Sequence, residues 1–451
     1  MLMGHFLCEF FRRTFPFVKT SKISSFPANK NPLFHSCAGL GNMLPLYCGI
    51  LHVKHPLQTG TPPGLRYDIL GGIMDLTTHA PVKIFLGNES MTGGKELFRL
   101  GSKALIVTGR HSADACGVMD DLKAILDELS IPYARFAEIT ENPLAETCHK
   151  GGAFCRAEGC DFVIAAGGGS VLDGAKAIAA YAANPAADVL DIYDADKVSV
   201  PGLPLIAIPT TAGTGSEAAP YAVLTLPGGL KKKTFKSPWS WPKYSFVCPK
   251  YTYTLSREYS VSTALDALAH AIESYLSPKS TEESQMSAVF AAREVWDVLF
   301  LNHDSEGEKD VGGFTARQRQ RLMYAATSAG VAISCTGTGF PHPLGYSLTL
   351  TYGIPHGKAC AVFEGAFIRY NRLTKIGRNA IDALAVAMDT TVEEMAVRIP
   401  KMAGLDELTM TEEKAEELID LVAGAGNYAN SPYVISRGEM SDIYRRLFVR
   451  T

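Results

Sequence analysis

The sequence predicts an α/β N-terminal domain built on a parallel sheet, followed by an all-α C-terminal domain, and three observations carry that expectation. Between Pro81 and Pro209, short apolar runs alternate with helical windows, the signature of parallel strands covered on both faces. Beyond about Tyr251 the strand signals fade, and helical windows follow one another at 281–301, 316–333, 376–388, 391–403, 411–424 and 439–448. A chain of 451 residues with 47% hydrophobic composition is long enough to fill two cores. We therefore expect domains at 74–252 and 253–451.

The elements follow in order. Val82–Gly87 and Lys103–Gly109 read as short strands, and Ala115–Leu129 as a helix leading to a strand at Pro132–Ile139. A helix from Ala145 to about Glu158 precedes the strand Asp161–Ala166, a glycine turn, the helix Val171–Ala183 and the strand Leu203–Pro209. Residues 1–73 read differently. Up to Tyr67 the single acidic residue is Glu9, while Arg12, Arg13, Lys19, Lys22, Lys30, Lys54 and Arg66 are basic. Such a segment is expected to be disordered: a mitochondrial transit peptide, or an over-extended start with Met74 as the natural beginning of the globular part.

Composition excludes several function classes. A net charge of −3 gives no reason to expect nucleic acid or a membrane surface as partner. No apolar run reaches the roughly 18 residues of a membrane span. Ten cysteines occur without a CxxC pair, which favours reduced thiols and a cytoplasmic protein, mitochondrial if the leader is real.

Two loops carry nucleotide chemistry. Gly167-Gly168-Gly169-Ser170 joins a buried strand to a helix, and glycines there let backbone N–H groups and the positive end of the helix dipole approach a phosphate. Pro209-Thr210-Thr211-Ala212-Gly213-Thr214-Gly215-Ser216-Glu217 follows the next strand, at the carboxyl edge where parallel sheets bind nucleotides. Steric glycines alone could explain the first loop; two such loops in the right strand context make a much stronger case than one.

The apolar helix Ala264–Leu276 holds Asp266 and His270 four residues apart, on one face. A buried Asp–His hydrogen bond and a metal-binding pair explain that spacing equally well. Downstream, His342 and His356 stand in Gly339–Tyr346 and Tyr352–Lys358, read as a loop pair that completes an Asp/His/His/His set. One carboxylate and three imidazoles suit a borderline ion such as Fe(II) or Zn(II).

The motifs GGGSVLDGAK, IPTTAGTGSE, ALDALAHAIESYLS and FPHPLGYSLTLTYGIPHGKA together resemble the iron-containing, group III alcohol dehydrogenases, over roughly residues 77–451. The resemblance implies a dehydroquinate synthase-like fold and a metal held by Asp266, His270, His342 and His356. It implies pyrophosphate on Gly168, Gly169 and Ser170 with Asp173 nearby, the ribose and nicotinamide side at Thr210, Thr211 and Thr214, and a cofactor contact from Lys233 in the Lys231–Lys233 run. Many members carry another histidine four residues after the third ligand; Tyr346 stands there in this chain. NAD-preferring members place an acidic residue where this chain has Gly109, followed by Arg110, His111 and Ser112. Loss of that carboxylate relieves repulsion of a 2′-phosphate, which Arg110 or Ser112 could bind, and so favours NADP(H) over NAD(H).

The resemblance implies reversible oxidation of a small alcohol to an aldehyde or ketone by a homodimer, with no catalytic residue required beyond the metal ligands. A hydroxyacid–oxoacid transhydrogenase and a dehydroquinate synthase-like lyase are the alternatives. A non-enzymatic metal-stabilised module would not need both nucleotide loops.

Overall fold

A computed structural model describes residues 66–70, 73–77, 80–229, 231–301 and 310–450. The expectations for residues 1–65 lie outside the described residues. Among the described residues the strands are β1 (Arg66–Leu70), β2 (Ile73–Thr77), β3 (Lys83–Leu86), β4 (Ala104–Val107), β5 (Tyr133–Phe136), β6 (Phe162–Gly167), β7 (Leu205–Pro209), β8 (Tyr221–Thr225), β9 (Lys232–Lys236) and β10 (Tyr244–Val247). Eight of them form one sheet in the order β1-β2-β3-β10-β7-β6-β4-β5. The six from β3 to β5 in that order are parallel, and β2 runs antiparallel to β3. β8 and β9 form a separate antiparallel hairpin.

The parallel strands read as continuous apolar runs because both faces are buried. On β4, Leu105 and Val107 join the core beneath α2 (Ala145–Ala157) and α3 (Gly169–Ala183), with Cys148, Ile178 and Tyr181. Ala104 and Ile106 point the other way, to α1 (Val118–Glu128), with Leu122, Ile125 and Leu126. Each fully buried Leu, Ile or Val contributes about 1.5–3 kcal/mol, which outweighs the weak local propensity of four-residue strands.

From Arg257 on, the described elements are almost entirely helical: α4 (Arg257–Leu276), α5 (Glu282–Trp296), α6 (Ala316–Thr336), α7 (Pro341–Tyr352), α8 (His356–Asn371), α9 (Lys375–Ala387), α10 (Val392–Ala403), α11 (Glu412–Val422) and α12 (Arg437–Phe448). Local chemistry starts them. Ser256 caps α4 by accepting from Tyr259 N at 3.2 Å, and reciprocal caps open α6 (Thr315 with Gln318), α10 (Thr391 with Glu394) and α12 (Ser436 with Glu439). Among the described residues no helix is long and apolar enough to cross a membrane.

Three differences from the sequence reading matter. The sheet begins at Arg66, eight residues before Met74, inside the stretch expected to lack structure. The hairpin β8–β9 and the strand β10 carried no legible signal, being short and set among Lys, Pro and Trp. His342 and His356 stand on helices and not in a loop: Pro341 and Pro343 sit in the first turn of α7, where proline is tolerated, and His356 is the first residue of α8.

The chain runs outward from β4 to β5 and returns as β6 on the other side of β4. That reversal opens a crevice at the carboxyl ends of β4 and β6, where the loops at Gly109 and Gly168 stand.

Candidate active site

Asp266 and His270 lie one turn apart on α4, both buried. His270 Nε2 is 3.7 Å from Asp266 Oδ1. His342 Nε2, from the first turn of α7, is 3.4 Å from the same oxygen, and His356 Nε2, from the start of α8, is 3.6 Å from it. Three imidazoles from three helices therefore face one carboxylate oxygen. Asp266 Oδ1 and His342 Nε2 are buried and make no hydrogen bond. Unpartnered buried polar atoms cost on the order of 1–3 kcal/mol each, so the cluster fits a cation at the common point, and its three nitrogens and one oxygen fit a borderline transition ion.

The backbone fixes this convergence. A Cβ on Gly357 would run into the carbonyl oxygen of Ser262 and stand 2.9 Å from Asp266 N. Glycine thus lets α8 start directly against α4 and sets His356 opposite Asp266. His342 is oriented from behind, its Nδ1 lying 2.6 Å from Glu273 Oε1, while Glu273 Oε2 accepts from Gly339 N. An imidazole donating through Nδ1 to a carboxylate presents its Nε2 lone pair forward. Glu273 went unremarked in the sequence, although it stands seven residues after Asp266 and so on the same helical face.

The electrostatics follow the packing. Burial alone would raise Asp266, but the imidazoles of His270, His356 and His342 hold it far below the usual carboxylate range. His342 is likewise opposed by burial, yet Glu273 and Asp266 lift it to about 10. Burial pushes His356 down to about 3 and lowers His270, so both favour the neutral, ligating form. His356 keeps 25% of its side-chain exposure, against 3% for Asp266, which makes its side of the cluster the accessible one.

The loops of the sheet reach the same place. Gly109 stands two residues past the end of β4; a Cβ there would lie 3.4 Å from Ser112 Oγ and 4.0 Å from Val171 Cγ2. Arg110, His111 and Ser112 are exposed beside it. Gly168 is the N-cap of α3 and no side chain caps that helix, which leaves its positive end open to an anion. Ser170 Oγ accepts from Asn142 N at 3.2 Å. A Cβ on Gly168 would lie 3.0 Å from Thr211, and one on Gly169 would collide with Thr214, so the two loops pack face to face with Thr210 buried beneath them. Gly213 in turn lies against Thr263 of α4, one turn before Asp266.

Two expected contributors are placed differently from the rest. Asp173 is engaged within its own domain: Oδ1 accepts from Ser216 Oγ at 2.6 Å, Oδ2 from Val223 N at 2.8 Å, and Lys176 Nζ is 3.8 Å away. Lys233 is exposed and lays its ammonium over the Tyr193 ring at 4.3 Å. Its neighbour Lys232 faces the cluster, 5.0 Å from the centre of the Tyr346 ring, which itself stacks on His356 at 5.4 Å. Burial lowers Lys232, while the negative charges of Asp266, Glu141 and Asp173 draw it partly back.

Sequence comparison identifies the family. The profile of the Iron-containing alcohol dehydrogenase family matches residues 81–249, and that of the Fe-containing alcohol dehydrogenase family C-terminal region matches residues 260–448. The chain belongs to the iron-containing alcohol dehydrogenase family. Among its relatives, the NADPH-dependent butanol dehydrogenase of Clostridium saccharobutylicum is 27% identical over 82% of this chain and 97% of that enzyme. The NADH-dependent butanol dehydrogenase B of Clostridium acetobutylicum is 31% identical over 66% and 76%. The crystal structure of an iron-containing alcohol dehydrogenase from Thermotoga maritima is similar with a TM-score of 0.74 at 34% identity, covering 82% of this chain and 98% of that one. As a family member this dehydrogenase is an oxidoreductase that interconverts alcohols and aldehydes with NAD(P) and a divalent metal, iron being the family property.

Proposed function

We propose that Asp266, His270, His342 and His356 hold the divalent cation, Fe(II) with Zn(II) as alternative, against a dinucleotide laid over Gly109, Ser112, Gly168, Gly169, Ser170, Thr210, Thr211 and Thr214. In this reading residues 74–252 bind the cofactor and 253–451 the cation. The observation that supports it most directly is the meeting of three imidazole nitrogens, at 3.4–3.7 Å, around an unpartnered carboxylate oxygen, on a helix that touches the threonine loop through Gly213 and Thr263.

A cation bound there supplies Lewis-acid polarisation of an alcohol or aldehyde oxygen. The chain supplies alignment. Glu273 holds His342 in the ligating tautomer, the open flank of His356 admits the substrate, and the glycine and threonine loops would hold and orient the dinucleotide, which would supply the hydride chemistry. Lys232, and not Lys233, provides the cation on the cofactor side. Asp173 serves by bracing Ser216 and Val223 behind the loops.

NADP(H) is the preferred cofactor in this reading, since Gly109 leaves no carboxylate to repel a 2′-phosphate and exposed Arg110 stands beside it. A homodimer, as the resemblance implies, and a cytoplasmic location, in keeping with the seven unpaired cysteines among the described residues, complete the proposal.

The test loads the purified chain anaerobically with Fe(II) or Zn(II) and follows NADPH or NADH oxidation with a panel of short aldehydes. Oxidation is expected with at least one aldehyde. His342→Ala should lower kcat/KM by more than about a hundredfold, the upper range when only a ligand's outer partner is changed. Gly109→Asp, whose Cβ meets ordinary contact distances, should move the NADPH/NADH preference about tenfold toward NADH, or roughly 1.4 kcal/mol. Better use of NADH than NADPH by the unaltered chain would defeat the cofactor assignment. No oxidation with any aldehyde, alongside turnover of a hydroxyacid–oxoacid pair, would favour the transhydrogenase.

A further inference from the structure

Cys360 stands one turn after His356 on α8, on the same face. Its Sγ is 3.6 Å from His356 Nδ1 and 3.7 Å from Nε2, and the residue is fully buried. A second group of donor atoms overlaps the four-residue set of the proposed centre. It is Asp266, His342, His356 and Cys360, whose ligating atoms all lie within 4.8 Å of one another. With bonds of about 2.1 Å to nitrogen and 2.3 Å to sulfur, two donors on opposite sides of one ion stand roughly 4.4 Å apart. The spread of the four donor atoms is therefore within a few tenths of an ångström of what a single ion can span.

Two further observations point to a ligand at that place. Asp266 Oδ1 and His342 Nε2, two members of that group, are buried and unpartnered, 3.4 Å apart. On the other side of the sulfur is Gly345 of α7, where any Cβ would stand 2.9 Å from Sγ, so the backbone leaves that position to the sulfur.

We propose that Cys360 is a fifth donor to the cation, binding through its thiolate. This rests on the proposed metal centre and adds to it. On binding, the S–H bond breaks, the sulfur–metal bond forms and the proton leaves to solvent, with no change of oxidation state. Two anionic donors, Asp266 and Cys360, then balance a dication. A thiolate beside three imidazoles shifts the preference of the site from Fe(II) toward zinc and cobalt.

The test is spectroscopic and uses the full chain loaded with Co(II). The unaltered protein should show visible cobalt d–d bands together with an intense near-ultraviolet sulfur-to-cobalt charge-transfer band. Cys360→Ser should keep the former and lose the latter, while Cys335→Ser, which alters an exposed cysteine, should keep both. In competition between Zn(II) and Fe(II), read as bound metal by elemental analysis, Cys360→Ser should shift the ratio toward iron by about tenfold. Cobalt retained one per chain without the charge-transfer band, or the band surviving in Cys360→Ser, overturns the proposal and leaves the four-donor centre standing. Failure of the unaltered chain to retain cobalt at all overturns both.

Discussion

Lys232 and Lys233 are neighbours on one strand and face opposite ways. Successive side chains on a strand point to opposite faces, so a displacement of one residue decides which ammonium meets the site, and three lysines in a row give no apolar alternation to fix it. Lys232→Ala is expected to raise the KM for cofactor or aldehyde by roughly tenfold or more, as loss of a partly buried charge contact does. Lys233→Ala should change it less than about twofold. Steady-state kinetics of the two variants decide the matter, and a larger effect from Lys233 would reverse the assignment. The same scale shows why the proposed metal ligands stood out in the sequence and Glu273 did not. Asp and His are scarce on apolar helices and announce themselves by spacing, whereas a lone glutamate seven residues on looks like any helical surface residue until its burial is seen.

At the scale of elements, the site depends on how closely α8 approaches α4. Because a methyl group at residue 357 has no room against the Ser262 carbonyl, Gly357→Ala should push the first turn of α8 away and carry His356 with it. Overpacking of this kind costs about 1–3 kcal/mol. A lower Tm should therefore come with bound metal reduced by about tenfold or more, and a variant that keeps full metal content would show that the close approach is not what positions His356. The start of α6 was legible from the helical window at 316–333 and the buried strands from their apolar runs, whereas α4 begins at Arg257, seven residues before the run Ala264–Leu276 that announced it. The start of α7 was not legible, because Pro341 and Pro343 read as chain breakers when they are in fact first-turn residues. The hairpin β8–β9 was hidden for a different reason: its stability comes from α3 and from contacts across the cleft such as Tyr221 OH to Ser334 O at 3.2 Å, none of which is local in sequence.

At the scale of the whole molecule, the proposed cation site gathers donors from three helices between residues 266 and 356, a set the unfolded chain does not hold together. A ligand that binds only the folded state stabilises it by about 2.7 kcal/mol when present at a hundredfold over its Kd, which raises Tm by several degrees in a chain of this size. Scanning calorimetry of the metal-loaded enzyme and of the same sample after chelation should show that drop. Equal Tm values would mean that the cluster holds no ion in solution. The division into a sheet lobe and a helical lobe was visible because the period of the apolar pattern changes along the chain. The order of strands was not visible, since β10 pairs with β3 across about 160 residues of sequence.

That last pairing has a consequence for how the protein is made. With β10 seated between β3 and β7, a nascent chain that has not yet cleared the ribosome past Val247 holds two half-sheets, each with a bare parallel edge facing the other. Such edges recruit any free strand that meets them, so translation through this window is the interval in which the polypeptide most needs a chaperone, and the arrival of four residues ends it.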